Sequence, residues 1–415
     1  MKNVIVLNNR NLNFYDFKEL KDKHDLRISA VVFDSTCKSL SDNAKKYLDE
    51  IYVLPDLIIH QEIFPPFPKK TLIPIIENNL SKFKNVWLIA SDELNILNAS
   101  SLREQYRLPG MKYSIGLNYR NKVIQKMKLS DGGLKTPKFM ELQENNIKNG
   151  KTIIYEEIIV NLNTPFIIKP TEMFGTIGVE KITSYNQFCN YFAKFSNFSE
   201  FIAEELINDQ LYHCDFIIQN NQYVFAEVSE YLRNGLSFIN GYNHGSFLLN
   251  HNHPLRLPII DFCKKANKIL GLKSGCAHFE VFVTKNQEII FLEAAGRPAG
   301  SIVPLVFTKT FRKNYMNAAL LAEIEEDPGI FKDPSEYCFW TFFPKKSGIV
   351  ESFNPIPIKS FYDVEWFVQV GDIMVNSSSI AEKSGLLIAN NKNYQILKCD
   401  FHTIKNFNAI KLKNI

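Results

Sequence analysis

Two carboxylates and a guanidinium fall within a short stretch, residues 278–300, which reads HFEVFVTKNQEIIFLEAAGRPAG. It reads as a β-hairpin with arms at 278–283 and 288–293 and with Lys285, Asn286 and Gln287 at the turn. Alternate residues of a strand share a face. His278, Glu280 and Phe282 therefore form one set, and Ile289, Phe291 and Glu293 another. A turn centred between Asn286 and Gln287 sets Glu280 opposite Glu293. Opposed side chains lie about 4.5–5.5 Å apart at Cβ, and like charges there are destabilising. A divalent cation removes that conflict, because Mg²⁺ takes hard oxygen ligands, commonly one or two carboxylates together with substrate phosphates. Arg297 follows in a loop with Gly296, Pro298 and Gly300, suited to bring a rigid positive fork to a phosphate or a carboxylate. The alternative is a surface hairpin whose glutamates point into water. A slip of one residue in register would turn one glutamate to the other face.

A second block, FIIKPTEMFGTIGVEKI, covers residues 166–182. A strand at 166–168 delivers Lys169, a loop carries Gly175 and Gly178, and a return strand starts at Val179. Such glycines let backbone N–H groups approach an anion, and the lysine adds charge. No GK[ST] follows, so this is not a Walker A loop; a plain hairpin is the alternative. Residues 201–207, FIAEELI, read as a strand ending in Glu204 and Glu205, ordinarily a solvated strand end. Residues 211–218 read as a strand with His213 and Asp215 on one face, paired with 223–228. His244, His251 and His253 stand among Asn, Gly and Pro with no Cys or carboxylate at ligand spacing, which suggests a loop rather than a zinc site.

The elements that must position these residues come from the rest of the 415-residue chain, a length that suits two to four domains. Hydrophobic residues make up 45% and charged residues 22%, ordinary for a globular protein with a full core. The net charge of +4 gives no case for nucleic acid or membrane as main partner. The seven cysteines are scattered without a CxxC, and the opening MKNVIVLNNR has too short an apolar run for a secretory leader. Both point to reduced thiols in a cytoplasm. No apolar run reaches the length of a membrane span. Strands at 3–7, 28–33, 51–54 and 86–90 alternate with polar helical segments, which predicts a parallel α/β layer. GxGxxG is missing after the first strand, so a dinucleotide site is unsupported. Residues 113–119 read as a connection; 120–129, 258–270 and 318–324 read as helices. From about 335 the pattern changes to an aromatic strand at 337–343 and short strands at 360–370 and 384–389. The expected division is an N-terminal α/β domain over 1–115, a central domain over 116–330 and a small β-rich accessory part over 331–415.

Taken in order, Lys122, Lys169 with its glycine loop, the run Glu204–Glu205–Leu206–Ile207, Asp215, Glu280, Glu293 and Arg297 resemble the ATP-grasp superfamily. The likeness is greatest to its carboxylate–amine ligase branch, which includes bacterial amino-acid ligases and dipeptide synthetases. It covers residues 115–330 in detail. The resemblance implies a mixed α/β and α+β fold, with a parallel α/β domain before the ATP-grasp domain. It implies ATP and Mg²⁺ (Mn²⁺ as the substitute) as cofactors. Lys122 and Lys169 would meet the ATP phosphates, with Gly175, Thr176 and Gly178 in the flap that covers them. Glu204, Glu205, Leu206 and Ile207 would form the adenine hinge, and Asp215 would belong to the nucleotide site. Glu280 and Glu293 would hold the metal. Arg297 would steady the transferring phosphoryl group or the acyl-phosphate.

The implied reaction joins a carboxylate and an amine, amino acids in the resemblance's terms, through an acyl-phosphate with release of ADP and phosphate. Homodimers are expected by the same resemblance. The chain departs from the family at Asp209 and Leu211, where glycine and a ribose-binding glutamate are usual. It departs again at Ala295, where an asparagine ligand is usual. Two alternatives stay open: a thiol or bicarbonate acceptor at the same ATP site, and a nucleotide-binding module that has lost catalysis.

Overall fold

The structure is a computed structural model that describes residues 1–57, 65–195 and 200–413. Its first layer is a parallel sheet of Lys2–Leu7, Leu26–Phe33, Glu50–Leu54 and Val86–Ala90. Lys2–Leu7 lies between Leu26–Phe33 and Val86–Ala90. Parallel sheets are covered on both faces. Here Val4, Val6, Ile28 and Val32 enter one apolar cluster, while Ile5, Leu7, Val31 and Phe33 enter another. The strand order reverses beside Lys2–Leu7, and the crevice at such a reversal, at the carboxyl ends of the strands, is where ligands bind in open α/β sheets. Asn9, Arg10 and Ser91–Asp92–Glu93 lie there, and all line one large cavity.

The predicted connection at 113–119 is a helix, Tyr113–Asn118. Its i, i+4 pairing was hidden by Ser and Gly, which read as loop residues. The Asn121 side chain then caps Lys122–Asp131, accepting from the N–H groups of Val123 and Ile124. An antiparallel sheet follows in the order Phe139–Gln143, Glu200–Glu205, Phe166–Pro170, Glu180–Ile182. Ile158 and Leu162 of helix Glu144–Leu162 pack against it, with Phe188 and Tyr191 of helix Tyr185–Lys194.

The largest sheet has eight antiparallel strands. In spatial order they are Ile289–Ala295, Gly275–Val283, Gln210–Gln219, Gln222–Tyr231, His244–Leu248, Tyr337–Pro344, Lys383–Asn391 and Phe361–Trp366. The aromatic strand at 337 and the strands Lys383–Asn391 and Phe361–Trp366 thus continue the central sheet, pairing through His244–Leu248, while Gly348–Phe353, Ile373–Met374 and Ile410–Lys413 form a separate three-stranded sheet. The strand His244–Leu248 had read as a loop. Its Gly245 looks like a turn signal, but a Cβ there would overlap the Trp340 carbonyl of the neighbouring strand, so close strand approach selects glycine. Along Gln210–Gln219, Tyr212, Cys214, Phe216 and Ile218 enter the cluster that also buries Ile259, Cys263 and Leu270 of helix Arg256–Leu270. Leu211, His213 and Asp215 take the other face. The N-terminal layer is fixed to the rest by Arg103–Glu323 at 2.8 Å and by Lys2 Nζ donating to Ile324 O at 2.6 Å. Among the described residues no helix is long and apolar enough to cross a membrane.

Candidate active site

The cavity holds about 620 Å³, within the range of small-molecule sites. Its floor is the second face of the eight-stranded sheet, and the hairpin forms one end. Glu280 pairs with Glu293 in the strand register, and both line the cavity. The route to that pairing differs from simple alternation. Near the turn, Phe282 faces Ile290 and Val281 faces Phe291; a bulge then shifts the register so that Glu280 faces Glu293. Leu292 and Glu293 both line the cavity, whereas Phe291 is buried in the cluster on the opposite face. The expected set of Ile289, Phe291 and Glu293 on one face is therefore corrected: a bulge adds one residue and reverses the side-chain alternation beyond it.

The two glutamates sit in different surroundings. Glu280 accepts from the Tyr231 hydroxyl at 2.7 Å and lies 3.5 Å from His278 Nε2. Burial pushes its carboxyl up, but the adjacent imidazolium and the hydroxyl outweigh that and hold it at about 2. His278 is itself opposed by burial, yet Asp215 at 2.8 Å raises it to about 10. Glu293 is more open, and its nearest cation is Lys122 Nζ at 3.7 Å.

Asp215 does not line the cavity. It lies fully buried on the same sheet face but outside the cavity lining, where it binds His213 Nδ1 at 2.6 Å and His278 Nδ1 at 2.8 Å. Burial raises its carboxyl, and the two imidazoles more than reverse this. His213, Asp215 and His278 come close enough to suggest a metal cluster, but these mutual hydrogen bonds account for their proximity. His213 Nε2 continues the seam to Ser246 Oγ at 2.8 Å, which accepts from Trp340 Nε1 at 2.8 Å.

Lys122 and Lys169 reach the same cavity from two elements. Lys122 opens its helix, and its Nζ donates to Met173 O at the start of the flap. Lys169 lies 3.0 Å from Glu204. Sequence reading missed the partner beneath: Lys126, fully buried, is 2.9 Å from the other oxygen of Glu204 and donates to Leu292 O at 2.7 Å. Its position four residues after Lys122, on the same helix face, was the available signal. Burial drives Lys126 down to about 8. Burial raises the Glu204 carboxyl, and the two lysines outweigh it and lower it. Glu205 ends its strand with its N–H donated to Lys138 O at 2.9 Å, and Leu206 and Ile207 follow along the cavity wall. Leu211 stands there too, packed with Tyr231 and Phe282, and gives that wall an apolar surface.

Gly175, Thr176 and Gly178 all have positive φ, at 62°, 65° and 70°. Gly175 and Thr176 line the cavity. Gly178 packs behind them, and a Cβ there would come within 2.8 Å of the Pro170 ring. Phe174 in the same loop receives the Arg10 guanidinium at 4.9 Å from its ring centroid. A Cβ at Gly235 would overlap the Thr176 methyl.

Arg297 binds Glu93 through Nε at 2.6 Å and through a second nitrogen. Glu93 also pairs with Arg120, so one carboxylate from the loop after Val86–Ala90 bridges two guanidiniums. Burial raises Glu93, but the pair of arginines holds it at about 2. Neither Glu93 nor Arg120 stood out in the sequence, because 204 positions separate the two ends of the Glu93–Arg297 contact.

With this geometry in view, the comparisons can be placed on the chain. The ATP-grasp domain family matches residues 162–304, so an ATP-grasp domain occupies that segment. Among curated proteins it is similar to the L-arginine-specific L-amino acid ligase of Bacillus subtilis. That likeness is 24% identity over 310 residues, 70% of this chain and 72% of that protein. Among solved structures it is similar to an L-amino acid ligase from Bacillus licheniformis, with TM-score 0.73 and 16% identity over 100% of this chain and 99% of that one. An ADP complex of an N5-carboxyaminoimidazole ribonucleotide synthetase gives TM-score 0.67 and 14% identity over 97% and 96% of the two chains. Both structural likenesses show the fold.

Proposed function

We propose that the protein is an ATP-dependent carboxylate–amine ligase that forms an amide between two amino acids and releases ADP and phosphate. The observation that carries this reading is the convergence of Glu280, Glu293, Lys122, Lys169 and Arg297 on one cavity. The donor set fits the groups it would hold. Two facing carboxylates suit a hard divalent cation, and lysines with a loop of positive φ suit phosphates. A bound Mg²⁺ would neutralise charge on the β- and γ-phosphates. The relatives' names, an L-arginine-specific L-amino acid ligase among them, support amino-acid substrates.

In this reading the substrate carboxylate attacks the γ-phosphorus and ADP leaves. The amine then attacks the acyl carbon, the phosphate oxygen departs, and the amine loses its proton to give the amide. Phosphoryl transfer asks for positioning and charge compensation more than covalent help. Lys122 and Lys169 bring positive charge to the transferring group, and Arg297 brings it to the acyl-phosphate. Tyr231 and His278 fix the Glu280 carboxylate. The 174–178 loop, seated on Gly235 and on Arg10, keeps water from the intermediate.

Phosphate release from ATP and Mg²⁺, measured with amino acids taken pairwise and with products weighed by mass spectrometry, tests this. Release that needs two particular substrates, with a product lighter by one water than their sum, is the expected result. Phosphate released with one substrate and a thiol, or with bicarbonate, would replace the amine acceptor. Nucleotide bound in calorimetry with no turnover for any pair would overturn the amino-acid ligase reading.

A further inference from the structure

We propose that the end of the cavity opposite the glutamate pair takes an apolar side chain of a substrate amino acid, of the leucine, methionine or phenylalanine kind. This rests on the ligase reading of the same site and names the substrate class within it.

The floor is one continuous sheet face, so its chemistry can be followed strand by strand. Glu280 faces His213 in the register; Tyr231 faces Ser246, which faces Trp340; His244 faces Phe342, which faces Leu386. Residues paired in register share a face, and strands lie about 4.8 Å apart. The strand bearing Trp340 and Phe342 is four strands from the one bearing Glu280, so the two backbones lie roughly 19 Å apart across the sheet, with the side chains between them reaching part of that way. Polar floor gives way to apolar floor along that line.

Trp340, Phe342 and Leu386 line the cavity from below, and Ile302, Val303 and Ile380 line it as well. Trp340 and Phe342 are in ring contact at 4.8 Å and Phe342 pairs with Leu386 in the register, so these three form one apolar patch of the floor. Ile380 stands three residues ahead of the strand that carries Leu386. Two charged side chains border this end. Lys383 carries its ammonium 4.7 Å from the Phe342 ring centroid and 5.0 Å from that of Phe367, and Glu365 lies across the strand pair from Leu386. Their charges oppose one another, so the border offers no net charge to select an ionic side chain. A cationic side chain entering among Trp340, Phe342 and Leu386 would lose its hydration without a buried carboxylate partner there. An apolar side chain loses contact with water and gains those surfaces.

The test compares kcat/KM for phosphate release across leucine, methionine, phenylalanine, serine, aspartate and arginine, each offered with every other amino acid as second substrate. The apolar three should exceed serine, aspartate and arginine by about tenfold to a hundredfold. Ile380→Glu should lower leucine turnover by about tenfold and raise that of arginine, while Ile380→Val should keep the wild-type order. Arginine or aspartate used as well as leucine would overturn the apolar assignment and leave the ligase reading standing. Absence of turnover with every amino acid would count against the ligase reading instead. Calorimetry of leucine against the ADP–Mg²⁺ protein would then decide this end of the cavity: binding weakened by Ile380→Glu supports it, and binding unchanged overturns it.

Discussion

At one end of the cavity floor every buried charge has a named counter-charge, and the groups are held before any substrate arrives. Lys126 and Lys169 share Glu204, His213 and His278 share Asp215, and Arg120 and Arg297 share Glu93. At the other end Trp340, Phe342 and Leu386 present hydrocarbon with little directional chemistry. Both ends are built on one sheet. The difference teaches that the strand framework fixes position, while the density of paired charge decides which end is rigid and electrostatically tuned. Preorganised charges cost no rearrangement at the moment of reaction; an apolar wall can accept several shapes of side chain at similar cost.

Breaking a shared carboxylate should show this most strongly. Lys126→Met leaves Glu204 buried with one cation fewer, and stability in denaturant unfolding should fall by about 3–5 kcal/mol. The double variant Lys126→Met with Glu204→Met should recover little of it, because it leaves buried Lys169 without the carboxylate it shares, and orphaning a buried charge is costly. A loss below 1 kcal/mol in the single variant would mean that water reaches the pair. Next in size, Glu293→Gln should lower phosphate release by about 10²–10³-fold and leave the melting temperature within about 2 °C, because Glu293 is the more open of the two glutamates. Near-normal turnover would remove it from the metal site.

The charged end should also set the acid limit of stability. Glu93 and Glu280 both sit at about 2 when folded, against 4.5 for a free glutamate. A depressed carboxylate stabilises the fold fully above the higher value, and that stabilisation is lost as pH falls from 4.5 towards 2. Glu93→Gln should therefore flatten the fall of stability across that window, as followed by denaturant midpoints at successive pH values. An unchanged slope would show that the arginines are compensated elsewhere. The smallest effect is expected at the flap. Arg10→Ala removes a cation–π contact worth about 0.5–1 kcal/mol, so the KM for ATP should rise a few-fold with the fold unchanged.

Much of the charged end was legible because it is local. The assumed turn centre set Glu280 opposite Glu293, although a bulge that the sequence did not announce makes that pairing, and the glycines of the 174–178 loop announced positive φ. What stayed hidden was long-range. Glu93 meets Arg297 only because segments 204 positions apart come together, and Asp215, read as part of the nucleotide site, lies buried between His213 and His278 on the same sheet face but does not line the cavity. The far end illustrates the same limit. The aromatic strand at 337–343 was readable as a strand, but its place in the central sheet depends on His244–Leu248, whose glycine answers to a neighbouring carbonyl and mimics a turn. Periodicity reports the face of an element, and not which element it will join.

The bulge before Glu293 also bears on how this chain can change length. The turn at 284–288 and the bulged residue act as two offsets that cancel at the glutamates. A residue gained at the turn lengthens only the loop, whereas a residue gained between the bulge and Glu293 would move Glu293 out of step with Glu280. Tolerance of length change is therefore uneven along this hairpin: the tip can grow, and the arm between bulge and glutamate cannot.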